Sequence, residues 1–155
     1  MDPDFKELLS AFNAHSVKYL VVRGYAVSFH APPRATKGLD LFTKPDAENA
    51  HAVYAALAAF GAPLEGLTAA DFMDRDGFFR MGHAPVMIEI LPAIKGVEFE
   101  GAWERRVETV IDPDTGLVAF MISREDLIAA KLAAARPQDL ADVDAIRRAG
   151  ENQGL

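Results

Sequence analysis

Two acidic residues interrupt segments that otherwise have the apolar pattern of buried strands. Asp40 lies in LDLFT, residues 39–43, and Glu89 lies in VMIEIL, residues 86–91. Because side chains alternate across a strand, Asp40 and Glu89 converge if the two strands are neighbours. Two close carboxylates repel each other, so such a pair requires a divalent cation such as Mg²⁺, a shared proton or a basic side chain. The structural alternative is that each carboxylate caps a backbone group or pairs with a nearby Arg or Lys.

The composition is that of an ordinary globular protein with an acidic balance. The chain has 155 residues, of which half are hydrophobic, a formal net charge of −7 and no cysteine. The lack of cysteine excludes disulfides, thiolate metal sites and a cysteine nucleophile. The negative charge disfavours non-specific binding to nucleic acid, which needs a basic surface. No apolar run reaches the roughly 20 residues of a membrane span, and the acidic start is unlike a secretory signal, so we expect a cytoplasmic protein without membrane contact.

The elements that must position the two acids alternate between helix and strand patterns. Helical periodicity follows the cap residues Asp2 and Ser123, and an Ala-rich segment over 46–61 also predicts a helix. Runs of β-branched and aromatic residues predict strands at 17–22, 39–43, 77–81 and 85–91. The turn DPDTG between VETVI and LVAFMI predicts a hairpin. We therefore predict a single α/β (α+β) domain over residues 1–155, with a mixed sheet flanked by helices and with C-terminal helices.

Several linked segments resemble one known superfamily. The stretch YLVVRGYAVSFHAPPRATKGLDLF, residues 19–42, is similar to the start of small polymerase-β-like nucleotidyltransferase domains, which include minimal nucleotidyltransferases and toxins of toxin–antitoxin pairs. The family pattern is a strand, a Gly-Gly or Gly-Ser turn that opens a helix, a strand with Asp-x-Asp, and a third carboxylate on a later strand. The tail ISREDLIAAKLAAARPQDLADVDAI, residues 122–146, also resembles the last helices of this group. The resemblance covers nearly the whole chain.

The resemblance implies transfer of a nucleoside monophosphate from a nucleoside triphosphate to a hydroxyl group on RNA, protein or a small molecule. Asp40 and Glu89 are then the catalytic residues and hold Mg²⁺ or Mn²⁺. A turn with glycine lets backbone N–H groups approach the triphosphate, which gives Gly24 a nucleotide-binding role. Arg34, Lys37 and Lys131 are further expected nucleotide-binding residues. A protein partner of the antitoxin type is also implied.

Two positions depart from the family pattern. Arg23 stands where the turn has its first glycine, and Gly38 stands where Asp-x-Asp has its first aspartate. Three hypotheses for Arg23 follow: it pairs with Asp40, Glu89 or both in place of a metal, it binds nucleotide phosphates while one metal stays on the two acids, or it faces solvent in a loop.

The departures give a second functional hypothesis, a catalytically inactive relative that acts as a nucleotide-binding or protein-interaction module. For the tail, we expect Arg136, Asp139 and Asp142 to form local ion pairs at the surface across the last two helices, and such pairs contribute little to stability.

Overall fold

The structure, a computed structural model, describes residues 1–153. The strands are β1 Tyr19–Val22, β2 Gly38–Thr43, β3 Phe79–Met81, β4 Met87–Leu91, β5 Val107–Asp112 and β6 Leu117–Met121. The helices are α1 Pro3–Ala14, α2 Arg23–His30, α3 Ala47–Phe60, α4 Phe99–Glu104, α5 Arg124–Ala134 and α6 Pro137–Gln153, with a 3₁₀ turn at Ala69–Met73. Within these residues, no helix combines the length and the apolar character that crossing a bilayer requires.

The six strands form one mixed sheet in the order β3-β4-β2-β1-β6-β5. The pairs β2–β4 and β1–β6 are parallel, and the other three pairs are antiparallel. Helices cover both faces, and α5 and α6 follow the last strand. The predicted fold class, a mixed sheet flanked by helices with C-terminal helices, is confirmed.

Local signals explain where the main helices begin. Asp2 accepts a hydrogen bond from the backbone N–H of Asp4 at 2.8 Å, and Pro3 occupies the first turn of α1. Asp46 caps α3 in the same way, through the N–H of Asn49. The predicted cap Ser123 accepts from the N–H of Asp126 at the start of α5. These caps satisfy N–H groups that the first helical turn leaves without partners.

Alternation along the central strands divides the core between the two faces of the sheet. Leu39 and Leu41 of β2 pack with Ile88 and Ile90 of β4 under α1 and α3. Phe42 and the other residues of the opposite face pack under α2, α4, α5 and α6. Asp40 and Glu89 lie on this second face, as expected from their position in the alternation. The acids therefore replace core residues where the sheet meets the start of α2.

At the first register pair of β2 and β4, Gly38 and Met87, the main chain of β4 occupies the space that a side chain of residue 38 would need. A Cβ atom added to Gly38 would overlap the carbonyl oxygen of Met87 and would lie 2.6 Å from its carbonyl carbon and 2.9 Å from its Cα. These are main-chain atoms of a paired strand, so they cannot turn aside as a flexible side chain can. Gly38 is therefore required by the spacing of the strands.

Replacing Gly38 with Ala should destabilise the protein, because the two strands must separate to admit the methyl group. We expect a loss of about 2 kcal/mol or more in the free energy of unfolding, measured by urea titration. Gly77→Ala is the matched control, since its nearest neighbour at 3.3 Å is a side-chain oxygen of Asp74. The control should change stability by less than about 1 kcal/mol. Equal effects of the two changes would contradict the close approach of the strands.

Candidate functional site

Asp40 and Glu89 are direct register partners on the parallel strands β2 and β4. Their side chains point to the same face of the sheet and are mostly buried, with exposed fractions of 17% and 12%. The predicted convergence of the two acids is confirmed. Two carboxylates so placed repel each other in a medium of low polarity, so the surrounding structure has to supply positive charge.

Arg23 supplies part of that charge. Its Nη1 lies 3.2 Å from Oε2 of Glu89, to which it donates a hydrogen bond, and 3.8 Å from Oδ1 of Asp40. The first hypothesis for Arg23, an ion pair with the two acids, is therefore confirmed as geometry. The guanidinium lies between the carboxylates, while about half of the side chain is exposed to the cleft above.

The backbone of Arg23 has a φ of +57°, in the left-handed region that favours glycine. This conformation costs a residue with a side chain about 1–2 kcal/mol. The sharp turn from β1 into α2 imposes it, because the extended strand ends at Val22 and the helix begins at the next residue. The turn thus keeps the geometry of a glycine position while it carries an arginine.

Arg80 of β3 is a second cation in the site, and the sequence-based interpretation missed it. Its Nε and Nη2 both lie 2.9 Å from Oε1 of Glu89. The two residues are register partners in the antiparallel pair β3–β4. The signal was present in FFRM: a buried Phe79 places Arg80 on the opposite face of the strand. Glu89 therefore binds two guanidinium groups, one on each carboxylate oxygen.

Burial dominates the electrostatics of Asp40. Desolvation raises the pKa of its carboxyl group from 3.8 to about 6. The positive charge of Arg23 lowers this pKa, and the negative charge of Glu89 raises it. Arg23 is closer to Glu89 than to Asp40 by 0.6 Å. Asp40 is therefore the less well compensated acid of the pair, and its charge changes in the mildly acidic range.

A cleft of about 580 Å³ opens above the two acids. It is lined by the predicted nucleotide-binding residues Arg23, Gly24, Arg34 and Lys37, by Gly38, Asp40 and Glu89, and also by Arg80, Arg136 and Gln138. The loop that carries Arg34 is fastened to α2, because Ser28 exchanges hydrogen bonds with the backbone N–H and carbonyl of Arg34 at 3.2 and 3.3 Å. The structure thus brings four of the five predicted nucleotide-binding residues to one cleft.

The fifth predicted residue, Lys131, lies in a buried ionic network behind the cleft. Its Nζ is 3.3 Å from Oδ1 of Asp139 and 2.9 Å from Oδ2 of Asp142. Arg136 binds Asp139 through Nε and Nη2, and Arg34 donates to Asp142 at 2.8 Å. The bond with Arg136 lowers the pKa of Asp139 to about 2.

The expectation of surface ion pairs in the tail is wrong in one respect. Arg136 forms the expected local pair with Asp139, and the arginine side chain is 72% exposed. However, Asp139 and Asp142 are themselves only 1% and 4% exposed, and the partners of Asp142 are Lys131 and Arg34. The physical reason is that α6 packs onto α5 and α2 through this side, which the sequence pattern of α6 alone does not reveal. The network fastens α6 to α5 and to the loop that carries Arg34.

Nearly the whole chain matches the model of one protein family. The family model DUF6036, described as "Nucleotidyltransferase of unknown function", matches residues 2–149. The chain belongs to this family. No curated protein matches it. The DUF6036 match supports the nucleotidyltransferase-like domain that the resemblance predicted, and it leaves the toxin–antitoxin type and the metal as predictions.

The residues of this DUF6036 member do not fit the metal centre that the nucleotidyltransferase resemblance implies. Metal-dependent phosphoryl transfer needs carboxylates with free oxygens, and here Arg23 and Arg80 engage both oxygens of Glu89. A third carboxylate cannot be placed at Gly38, because its Cβ would overlap the backbone of Met87. Within residues 1–153, no cluster of three or more Asp, Glu or His side chains is placed to hold a metal ion.

The buried network predicts a strong dependence on Asp139. Asp139→Ala leaves the buried Lys131 with Asp142 as its remaining partner, so we expect a loss of about 1–3 kcal/mol in the free energy of unfolding. Asp144→Ala is the matched control on the same helix, because the Asp144–Arg148 pair is exposed and should contribute less than about 1 kcal/mol. Urea titrations of both variants check this, and similar losses would contradict a special role for the buried network.

The raised pKa of Asp40 predicts a defined pH dependence. The folded protein holds the Asp40 proton more tightly than the unfolded chain does. The carboxyl group therefore does not alter the free energy of unfolding below about pH 4, and it lowers that free energy as the pH rises from about 4 to about 6. Asp40→Asn removes this pH-dependent contribution to the free energy of unfolding. The free energy of unfolding of the variant relative to the parent should therefore rise across that window, by up to about 3 kcal/mol. A difference that stays constant from pH 4 to 7 would contradict the assignment.

Proposed function

We propose that this protein binds a nucleoside triphosphate, or a similar organic polyphosphate, without a metal ion and without transferring a nucleotide. The observation that carries the proposal is the position of Arg23, whose guanidinium lies 3.2 Å from Glu89 and 3.8 Å from Asp40. An arginine supplies a fixed cation and several N–H donors in the region where a metal-dependent relative needs its metal. The half-exposed side chain also faces the cleft, where it can donate to phosphate oxygens.

The charge of the cleft supports an anionic ligand. The ten charged side chains of the cleft and of the network behind it are Arg23, Arg34, Lys37, Arg80, Lys131, Arg136, Asp40, Glu89, Asp139 and Asp142. Six are basic and four are acidic, so they carry an excess of two positive charges in a chain whose net charge is −7. The local positive field attracts phosphates, whereas the acidic remainder of the surface repels a long nucleic acid.

The test is ligand binding with the metal controlled. Thermal stability and calorimetric titration with each nucleoside triphosphate should show binding in EDTA that is at least as tight as in Mg²⁺ or Mn²⁺, because these metals neutralise part of the charge of the triphosphate. A ligand at about 100 times its dissociation constant should add roughly 2.7 kcal/mol to stability. Lys37→Ala should weaken binding roughly tenfold, as expected for a lost charge-assisted contact. Lys18→Ala removes an equal charge at the far end of β1 and should leave binding unchanged. Binding that requires the metal would contradict the proposal.

Nucleotide transfer is the second candidate, and the family membership favours it. In this alternative Asp40 and Glu89 would hold Mg²⁺ or Mn²⁺, which would supply positive charge to the phosphates, and a nucleoside monophosphate would pass from a nucleoside triphosphate to a hydroxyl group with release of pyrophosphate. It requires Arg23 and Arg80 to leave Glu89. Metal-dependent pyrophosphate release that Asp40→Asn abolishes would support it over the first proposal. The antitoxin-like protein partner remains a prediction from the resemblance.

A further inference from the structure

A pocket of about 170 Å³ with mainly aliphatic walls adjoins the cleft and is not used by the function proposed above. Its walls are aliphatic: Val22, Ala93, Ile94, Ile122, Leu127, Ala130 and Ala134. Its polar lining consists of Arg23, Lys95, Lys131, Arg136 and Asp139. An apolar cavity of about 150 Å³ is large enough to bind a benzene ring. The pocket therefore has the volume and the walls for one six-membered ring.

The loop after β4 forms one wall, and its position is built into the fold. Gly96 has a φ of +84°, and a Cβ added there would lie 2.6 Å from the Cβ of Ala133 and 3.0 Å from the carbonyl oxygen of Ala129. The loop thus packs against α5 at a distance that only glycine allows. A bridge between Ile94 and Val97 closes the loop on itself. This arrangement keeps Ile94 across the pocket from α5, so the pocket is a formed feature of the fold.

Arg23 and Arg136 line both the pocket and the cleft. A ligand whose ring enters the pocket therefore presents its other end to two guanidinium groups. Lys95 is exposed at the pocket and adds a third cation. Lys131 and Asp139 neutralise each other deeper in the wall, which leaves the apolar side chains to contact the ring.

We propose that this pocket, hereafter the ring pocket, binds a single six-membered ring of an organic phosphate whose phosphate group lies on Arg23 and Arg136. The inference deepens the proposed function and rests on the phosphate-binding site that it proposes in the cleft, hereafter the anion site. The walls are aliphatic, so they recognise the ring by shape and apolar contact. A pyrimidine nucleotide and an aromatic phosphate without a sugar share this chemistry.

The experiment compares four probes by calorimetric titration in EDTA: inorganic phosphate, ribose 5-phosphate, phenyl phosphate and uridine monophosphate. Burial of an apolar ring should make phenyl phosphate bind at least about tenfold more tightly than inorganic phosphate. Tighter binding of uridine monophosphate than of ribose 5-phosphate identifies a pyrimidine nucleotide as a ligand. If only phenyl phosphate binds more tightly than its ring-free counterpart, inorganic phosphate, the ligand is an aromatic phosphate. Equal affinities within each pair would overturn the inference.

Filling the pocket tests its location. Ala130→Leu puts a larger side chain into the wall and should remove most of the gain for phenyl phosphate, while its circular dichroism and inorganic phosphate affinity match those of the parent. Ala134→Leu, at an exposed position of the same wall, gives the same test if Ala130→Leu does not fold. Ala58→Leu, an exposed position of α3, is the matched control and should keep the full gain. A gain that survives both filling variants would overturn the inference.

The outcomes separate this inference from the proposed function. If a nucleoside triphosphate binds in EDTA but the ring gives no gain, the ring pocket is wrong and the anion site stands. If the triphosphate binds only with metal while the filling variants still abolish the gain for phenyl phosphate, the proposed function is wrong and the ring pocket stands.

Discussion

The repulsion between two buried carboxylates is the constraint on which the site depends. Asp40 and Glu89 are held side by side by the parallel register of β2 and β4, so neither can move away without breaking the central sheet. Positive charge must lie beside them, and Arg23 and Arg80 provide it from the start of α2 and from the edge strand β3. The ion pairs in turn fix the end of β1 and the floor of the cleft.

The same sheet geometry limits the chemistry. The main chain of Met87 leaves no space for a side chain at Gly38, the residue that the resemblance aligns with the first aspartate of Asp-x-Asp. Replacement of Gly38 with aspartate therefore requires displacement of a central strand. A change in residue type alone would not provide a third acid. The residues at positions 23 and 38 both suit a site with two carboxylates and an internal cation. Arg23 provides the cation from a left-handed turn, and Gly38 adds no third carboxylate.

The sequence predicted much of this arrangement, because the relevant signals are local. The caps at Asp2 and Ser123 and the alternation around Asp40 and Glu89 depend on neighbours in the chain. The pairing of β2 with β4 made the acids converge, and the family pattern pointed to Arg23. The segment FFRM indicates the face of the strand on which Arg80 lies, but its pairing with Glu89 depends on which strand lies at the edge. The burial of Asp139 depends on how α6 packs against α5. Those are tertiary contacts that one segment does not encode.

The central claim is that the guanidinium of Arg23 takes the place of a metal between Asp40 and Glu89. Electron paramagnetic resonance of Mn²⁺, titrated with the protein in the presence and absence of a nucleoside triphosphate, tests it most directly. The account predicts that, without nucleotide, the parent protein leaves the spectrum of free Mn²⁺ unchanged. With a nucleoside triphosphate, which itself chelates Mn²⁺, the parent protein should not lower the free Mn²⁺ signal below that of the same mixture without protein. Binding of one Mn²⁺ per chain that is lost in Asp40→Asn would contradict the account and would restore a metal to this site.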